Sequence, residues 1–257
     1  MLALLSPAKK MDFNRTSLPA DHTNLKLQKD TAELLETARK QKADDLKRLM
    51  KISDDLSTLN YQRFQAMTFP FTPDNAKQAA YAFNGDTYTG LDITTIKPED
   101  VAYAQDHVRI LSGLYGLVRP LDLIQPYRLE MGTRLPTSRG ENLYDFWGDR
   151  LAEAINEELA SHSNKTVINL ASNEYFKAVR KKVLAYPVIT PVFKEVKGGV
   201  AKVIGFPAKR ARGMMARYIS QHRIERPEDL KAFNEAGYNY QPDMSSDSEY
   251  HFYRTVS

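Results

Sequence analysis

TVINLASNEYFKAVRKKVLAYPVITPVF, residues 166–193, decides the fold. Thr166–Leu170 is a short apolar run that reads as a buried strand. Asn173–Lys182 has helical composition, and Tyr186–Phe193 reads as a second strand. Gly198-Gly199 then marks a hairpin turn into Val200–Phe206. Working outward, Leu2–Leu5 is another short buried strand, with Ser6-Pro7-Ala8-Lys9-Lys10 as the turn that leaves it. Near the far end, Tyr238–Tyr240 and Tyr250–Val256 can pair around the polar loop Asp243–Glu249. The pattern predicts an α+β fold: one domain over 1–257, with a central mixed β-sheet and surrounding helices.

The intervening sequence supplies the helices. Periodicity and end signals predict them over Asn24 to about Lys42, Asp44–Met50, Asp54–Gln65, Asp74–Phe83, Pro98–Leu111 and Tyr144–Ala160. Two more follow, Pro207 to about His222 and Pro227–Phe233. Phe69–Pro73 reads as a turn, and residues 12–23 and Gly85–Gly90 as loops. The pair near 42–65 resembles a helix-hairpin-helix, a small module that holds a DNA backbone. Its usual glycine-bearing hairpin is replaced by Ile52-Ser53-Asp54, so an ordinary helical pair is the other reading, and the roles of Lys47 and Lys51 depend on which holds.

Composition narrows the function classes. The chain has 257 residues, 42% hydrophobic and 26% charged, as expected of a soluble globule. No apolar run approaches a membrane span, and the run after Met1 is too short for the core of a signal peptide. Cysteine is absent, which removes disulfides and thiolate chemistry. A cytoplasmic location fits. The net charge is only +4, yet residues 207–226 hold six cations against one acid. That local balance of +5 leaves the other residues at −1.

The basic excess lies on the helix Pro207–His222. Ala211, Met214, Met215, Tyr218 and Ile219 form one face, and Lys209, Arg210, Arg212 and Arg217 lie opposite. No acid sits at helical spacing to pair with them, so either the face is simply solvated or an anion such as phosphate meets it. Three other stretches carry polar groups toward a ligand or merely toward local structure. Ser6–Lys9 follows a strand, where α/β proteins often place ligand contacts. Asn169–Lys177 crosses from strand to helix, where Ser172 or Asn173 either caps the helix or leaves its amides to an anion. Arg109–Leu135 is an irregular, apolar segment in which Arg119 and Arg128 either fork an anion or pair internally with Asp122 and Glu130. Catalytic templates are missing. The five histidines are scattered, with no HExxH, GxSxG, Walker A or GxGxxG, so no metal, cofactor or catalytic residue is assigned.

Taken together, these stretches resemble the YaaA family of peroxide-stress resistance proteins. The matching pieces are SPAK at 6–9, RFQAM and FTPDNAKQA between 63 and 79, NGDTYTGL at 84–91, and SGLYGLVRPLDLIQPYRLEMGTRL at 112–135. LYDFWGD at 143–149, INLASNEYFKAV at 168–179 and AKRARGMMARYI at 208–219 complete the set. The resemblance implies a bacterial cytoplasmic protein of the hydrogen-peroxide response, associated with limiting unincorporated iron. It also implies a basic cleft, a helix-hairpin-helix-like element and DNA binding.

On this reading Lys209, Arg210, Arg212 and Arg217 contact backbone phosphates, with Lys9, Arg119 and Arg128 deeper in the cleft and Lys177 beside them. No base-reading element is visible, so the partner is double-stranded DNA without strong sequence preference. The alternative is an enzyme acting on a small phosphorylated or nucleotide-like ligand in the same cleft, with Asp122, Glu130 or Glu174 moving a proton. Direct iron sequestration is the weakest reading, because hard iron wants clustered histidines and carboxylates.

Overall fold

The computed structural model describes residues 1–14 and 18–256, so part of the loop expected over 12–23 lies outside the described residues. Strand β1 (Leu2–Leu5) is followed by helices α1 (Gln28–Arg39), α2 (Ala43–Met50) and α3 (Asp54–Ala66). Next come β2 (Lys77–Gln78), α4 (Ala79–Ala82), α5 (Asp86–Leu91) and α6 (Pro98–His107). Strands β3 (Val108–Ser112), β4 (Gly116–Val118) and β5 (Leu123–Ile124) then lead to α7 (Leu143–Trp147) and α8 (Arg150–Leu159). The second half holds β6 (Val167–Leu170), α9 (Asn173–Phe176), β7 (Val188–Lys197), β8 (Val200–Lys202) and α10 (Gly205–Gln221). Strands β9 (Asn239–Tyr240) and β10 (Glu249–Thr255) end the chain.

The main sheet is mixed, as the sequence predicts. Its order is β4-β3-β1-β6-β7-β10-β9, with β8 also paired to β7. The five central strands β3, β1, β6, β7 and β10 run parallel. The antiparallel partners β4, β8 and β9 come from hairpin-like returns. Every residue of β1 and of β6 is buried, as befits parallel strands covered on both faces. Burial along β7 and β10 alternates over most of their length, because there the core lies on one side. One buried apolar cluster runs from Met1 to Phe252.

The chain leaves β1 toward β3 on one side of the sheet and leaves β6 toward β7 on the other. Yet β1 and β6 are neighbours, with Leu5 opposite Leu170 at their carboxyl ends. Connections that diverge from adjacent parallel strands open a crevice beyond the strand ends, the usual ligand position in open α/β sheets.

Four local expectations are corrected. Gly85–Gly90 is not a loop: Asp86–Leu91 forms α5, packed on α10. The helix expected over Pro98–Leu111 stops at His107, and Val108 begins β3. The helix expected over Tyr144–Ala160 breaks at Gly148, whose φ of +50° separates α7 from α8. Asp74–Phe83 holds only one helical turn, α4, preceded by β2. The segment 109–135 is buried and largely irregular, as expected, and its polar groups are matched inside it. Tyr115 Oη donates to the Gln125 carbonyl at 2.8 Å, and the Ser112 and Tyr127 hydroxyls lie 2.6 Å apart.

Candidate anion-binding site

A cavity of about 440 Å³ opens at the carboxyl ends of β1 and β6, in the crevice that the topology creates. Ser6–Lys10 comes from the turn after β1, and Leu170, Ser172, Glu174 and Tyr175 from β6 and α9. Asn84–Thr87 at the start of α5, Tyr127–Glu130, and Lys209 and Arg212 from α10 close it. The two strand-end turns are tied together: the Ser172 amide donates to Ser6 Oγ at 2.8 Å, and Tyr88 Oη donates to the Ser6 carbonyl at 3.0 Å.

Helix α10 reaches this place because two glycines allow it. A Cβ on Gly213 would lie 1.7 Å from the Thr87 carbonyl oxygen, and one on Gly90 would lie 2.1 Å from that of Arg210. No side chain fits at either position, so α5 and α10 touch backbone to backbone. That contact sets Lys209 and Arg212 over the strand ends.

The expected site residues divide into two groups. Lys9, Arg128, Lys209 and Arg212 line the one cavity. Arg128 Nε donates to Glu130 Oε1 at 3.0 Å, and Lys9 Nζ lies 3.4 Å from the same oxygen, so the internal pair offered by the sequence is formed. Glu130 Oε2 is buried and has no hydrogen-bond partner among the described residues. Arg212 is half-buried, and no carboxylate or carbonyl among the described residues bonds its guanidinium. Burial alone pushes its pKa down.

The other four lie elsewhere. Arg119 is bound to the fully buried Asp122, with Nε at 3.0 Å, and to the Asn24 carbonyl at 2.8 Å. Its guanidinium faces the amino-terminal side of the sheet with Arg109, Glu158 and His162. Arg217 is not the free cation that the helical face suggested. Its Nη1 donates to the Asp92 carbonyl at 2.9 Å and to Thr95 Oγ1 at 2.8 Å, and Asp92 Oδ2 lies 3.8 Å away. The acid that answers it comes from the far side of the α5–α10 contact, beyond the reach of helical spacing. Lys177 lies 4.9 Å over the Tyr144 ring and does not line the cavity, and exposed Arg210 faces a neighbouring hollow with Phe206 and Tyr238.

A second cleft, about 620 Å³, lies between the end of α2 and residues 132–134, lined by Lys51, Arg48 and Arg134. Arg48 is paired with Asp45, whereas Lys51 and Arg134 are exposed without an acidic partner among the described residues. Gly132 lines this cleft and Glu174 the first. The Gly132 amide donates to Glu174 Oε1 at 3.0 Å, so the two openings adjoin at that contact. Lys51 takes the left-handed conformation at the end of α2, and Ser53 caps α3. Sequence reasoning did not assign Arg134 or the start of α5 to the site. Both precede or follow glycine-rich irregular backbone, which hides what they face.

Among the described residues, no group of three or more His, Asp or Glu side chains is placed to hold a metal ion, and no helix is long and apolar enough to cross a membrane.

Comparison with known proteins identifies the chain's relatives. A UPF0246 protein of Magnetococcus marinus is 54% identical over 257 residues, covering 100% of both chains. A UPF0246 protein of Burkholderia lata is 52% identical over 258 residues, covering 100% of this chain and 99% of its own. Another, from Hahella chejuensis, is 50% identical over 254 residues and 99% of each. The family model described as peroxide stress protein YaaA matches residues 1–244. The chain belongs to the peroxide stress protein YaaA family.

Proposed function

We propose that this protein acts in the cytoplasm during peroxide stress and binds double-stranded DNA by its backbone, without strong sequence preference. The observation that carries the reading is the set of exposed cations without acidic partners among the described residues: Lys51 and Arg134 at one cleft, Lys209 at the other and Arg210 in the neighbouring hollow; Lys9, exposed but paired with Glu130, lies at the rim. Like charges held near one another repel unless an anion lies between them, and a phosphate backbone supplies a row of anions. The α2–α3 pair would act as the helix-hairpin-helix-like element, with Lys51 toward the backbone. Lys177 would add a contact beyond Glu174. Arg119 and Arg217 have no part in this reading, since each is held by an aspartate and by backbone carbonyls. Limitation of unincorporated iron, which family resemblance suggests, would then follow from events on DNA rather than from a metal site in this chain.

About five phosphates neutralised give a slope of log K against log salt near −4 to −5. Fluorescence anisotropy of a labelled duplex, titrated from low to moderate salt, reads that slope directly. A slope flatter than about −2, or no binding at low salt, contradicts the proposal.

A further inference from the structure

Two residues that line the cavity at the ends of β1 and β6 each carry a polar group that neither the fold nor the proposed DNA contact uses. One is the Arg212 guanidinium, half-buried and unpaired among the described residues. The other is Glu130 Oε2, buried and without a hydrogen-bond partner. Each is costly alone. A desolvated cation wants an anionic oxygen, and a desolvated carboxylate oxygen wants an N–H donor. The cause cannot be mutual, because Glu130 spends its other oxygen on Arg128 and Lys9 and no bond joins it to Arg212. Both residues line the same space of about 440 Å³, within the range that small-molecule sites occupy, and Oε2 lies just beneath its wall.

We infer that this cavity is a small-molecule site for a nucleoside monophosphate or a close chemical equivalent. Arg212, with Lys209 at the mouth, receives the phosphate, and Glu130 Oε2 accepts from an N–H on the base. The requirements are specific. Inorganic phosphate satisfies Arg212 and leaves Glu130 unanswered, whereas an uncharged nucleoside does the reverse. The site is recessed at a strand-end crevice, where a duplex backbone resting on the exposed cations would not fill it, so this inference does not rest on DNA binding.

The test is calorimetric titration of the full chain with the four 5′-ribonucleoside monophosphates, inorganic phosphate and adenosine, at fixed ionic strength. At least one mononucleotide should bind ten-fold or more tightly than phosphate or adenosine. Arg212→Gln should weaken that nucleotide at least ten-fold, and Glu130→Gln should weaken it without weakening phosphate binding, since the change also frees Arg128 and Lys9. Arg212→Lys keeps a charge but loses the planar fork. It should bind more weakly than the parent while unfolding at the parent's temperature, which separates loss of the site from loss of the fold. Absence of heat with all four mononucleotides, or equal binding of phosphate and nucleotide, overturns the inference. Failure of duplex binding alone would leave it standing.

Discussion

Arg212 and Arg217 sit five residues apart on α10 and have opposite uses. Arg217 ties the end of α5 to α10 through the Asp92 carbonyl and Thr95. Charge-assisted bonds of this kind contribute roughly 2 kcal/mol together, so Arg217→Ala should lower the melting temperature by about 4–8 °C. The same change should leave the salt dependence of duplex binding unaltered. Arg212 stabilises nothing visible, and its replacement should alter ligand binding far more than melting. A pH effect belongs at this scale too. Burial holds the Met1 amine down at about 6, against 8.0 when free. His162, which lies 3.3 Å from that amine, is pushed down to about 4 by burial and then by the amine's charge, against 6.5 when free. Both groups are bases with depressed folded pKa values, so the unfolded chain binds the extra protons. Stability should fall as pH drops from 8 toward 6 through the amine, and again from 6.5 toward 4 through His162. Melting curves across that range should show the decline, and His162→Gln should flatten its lower part.

The contact between α5 and α10 is the element on which the site depends. Gly213 admits no side chain, with the Thr87 carbonyl oxygen 1.7 Å from the place a Cβ would occupy. Since backbone is the obstacle, Gly213→Ala must push the helices apart. It should cost on the order of 3 kcal/mol and weaken any ligand that uses Lys209 and Arg212. Thermal melting and titration of the same sample check both effects. This contact also explains what the sequence made legible and what it hid. The 17-residue α10 was plain because its apolar face is long enough to show a period. The six-residue α5 is hidden because Gly85 before it, Gly90 within it and its Asp and Thr residues read as loop, and it is held by packing rather than propensity. Val108 and Leu111 continued the stripe of α6 at helical spacing, yet they belong to β3 because the parallel neighbour β1 pairs there. Likewise a strand end points to Lys9, an irregular segment to Arg128 and a charged helix face to Lys209 and Arg212, and the structure brings these four to one cavity. The spacing of α10 could not reveal that Asp92 answers Arg217, since that partner is 125 residues away.

At the scale of the whole molecule, the parallel core places its divergent connections between β1 and β6, and the candidate site lies in the crevice they open. The recessed part is suited to a small ligand. The exposed cations around it and around the adjoining cleft are suited to a longer anion. The mixed sheet and its strand-end turns were readable in the sequence, whereas strand order, which creates the crevice, depends on pairings between residues far apart along the chain. In the proposed function the exposed cations at these clefts hold a DNA backbone. The measurement that tests it most directly compares the salt dependence of duplex binding between the parent and the Lys209→Ala/Arg210→Ala double variant. A parent slope near −4 to −5 and a variant slope shallower by about 2 are expected, with weakening uniform across duplex sequences. An unchanged slope in the variant, or a parent slope flatter than about −2, would contradict it.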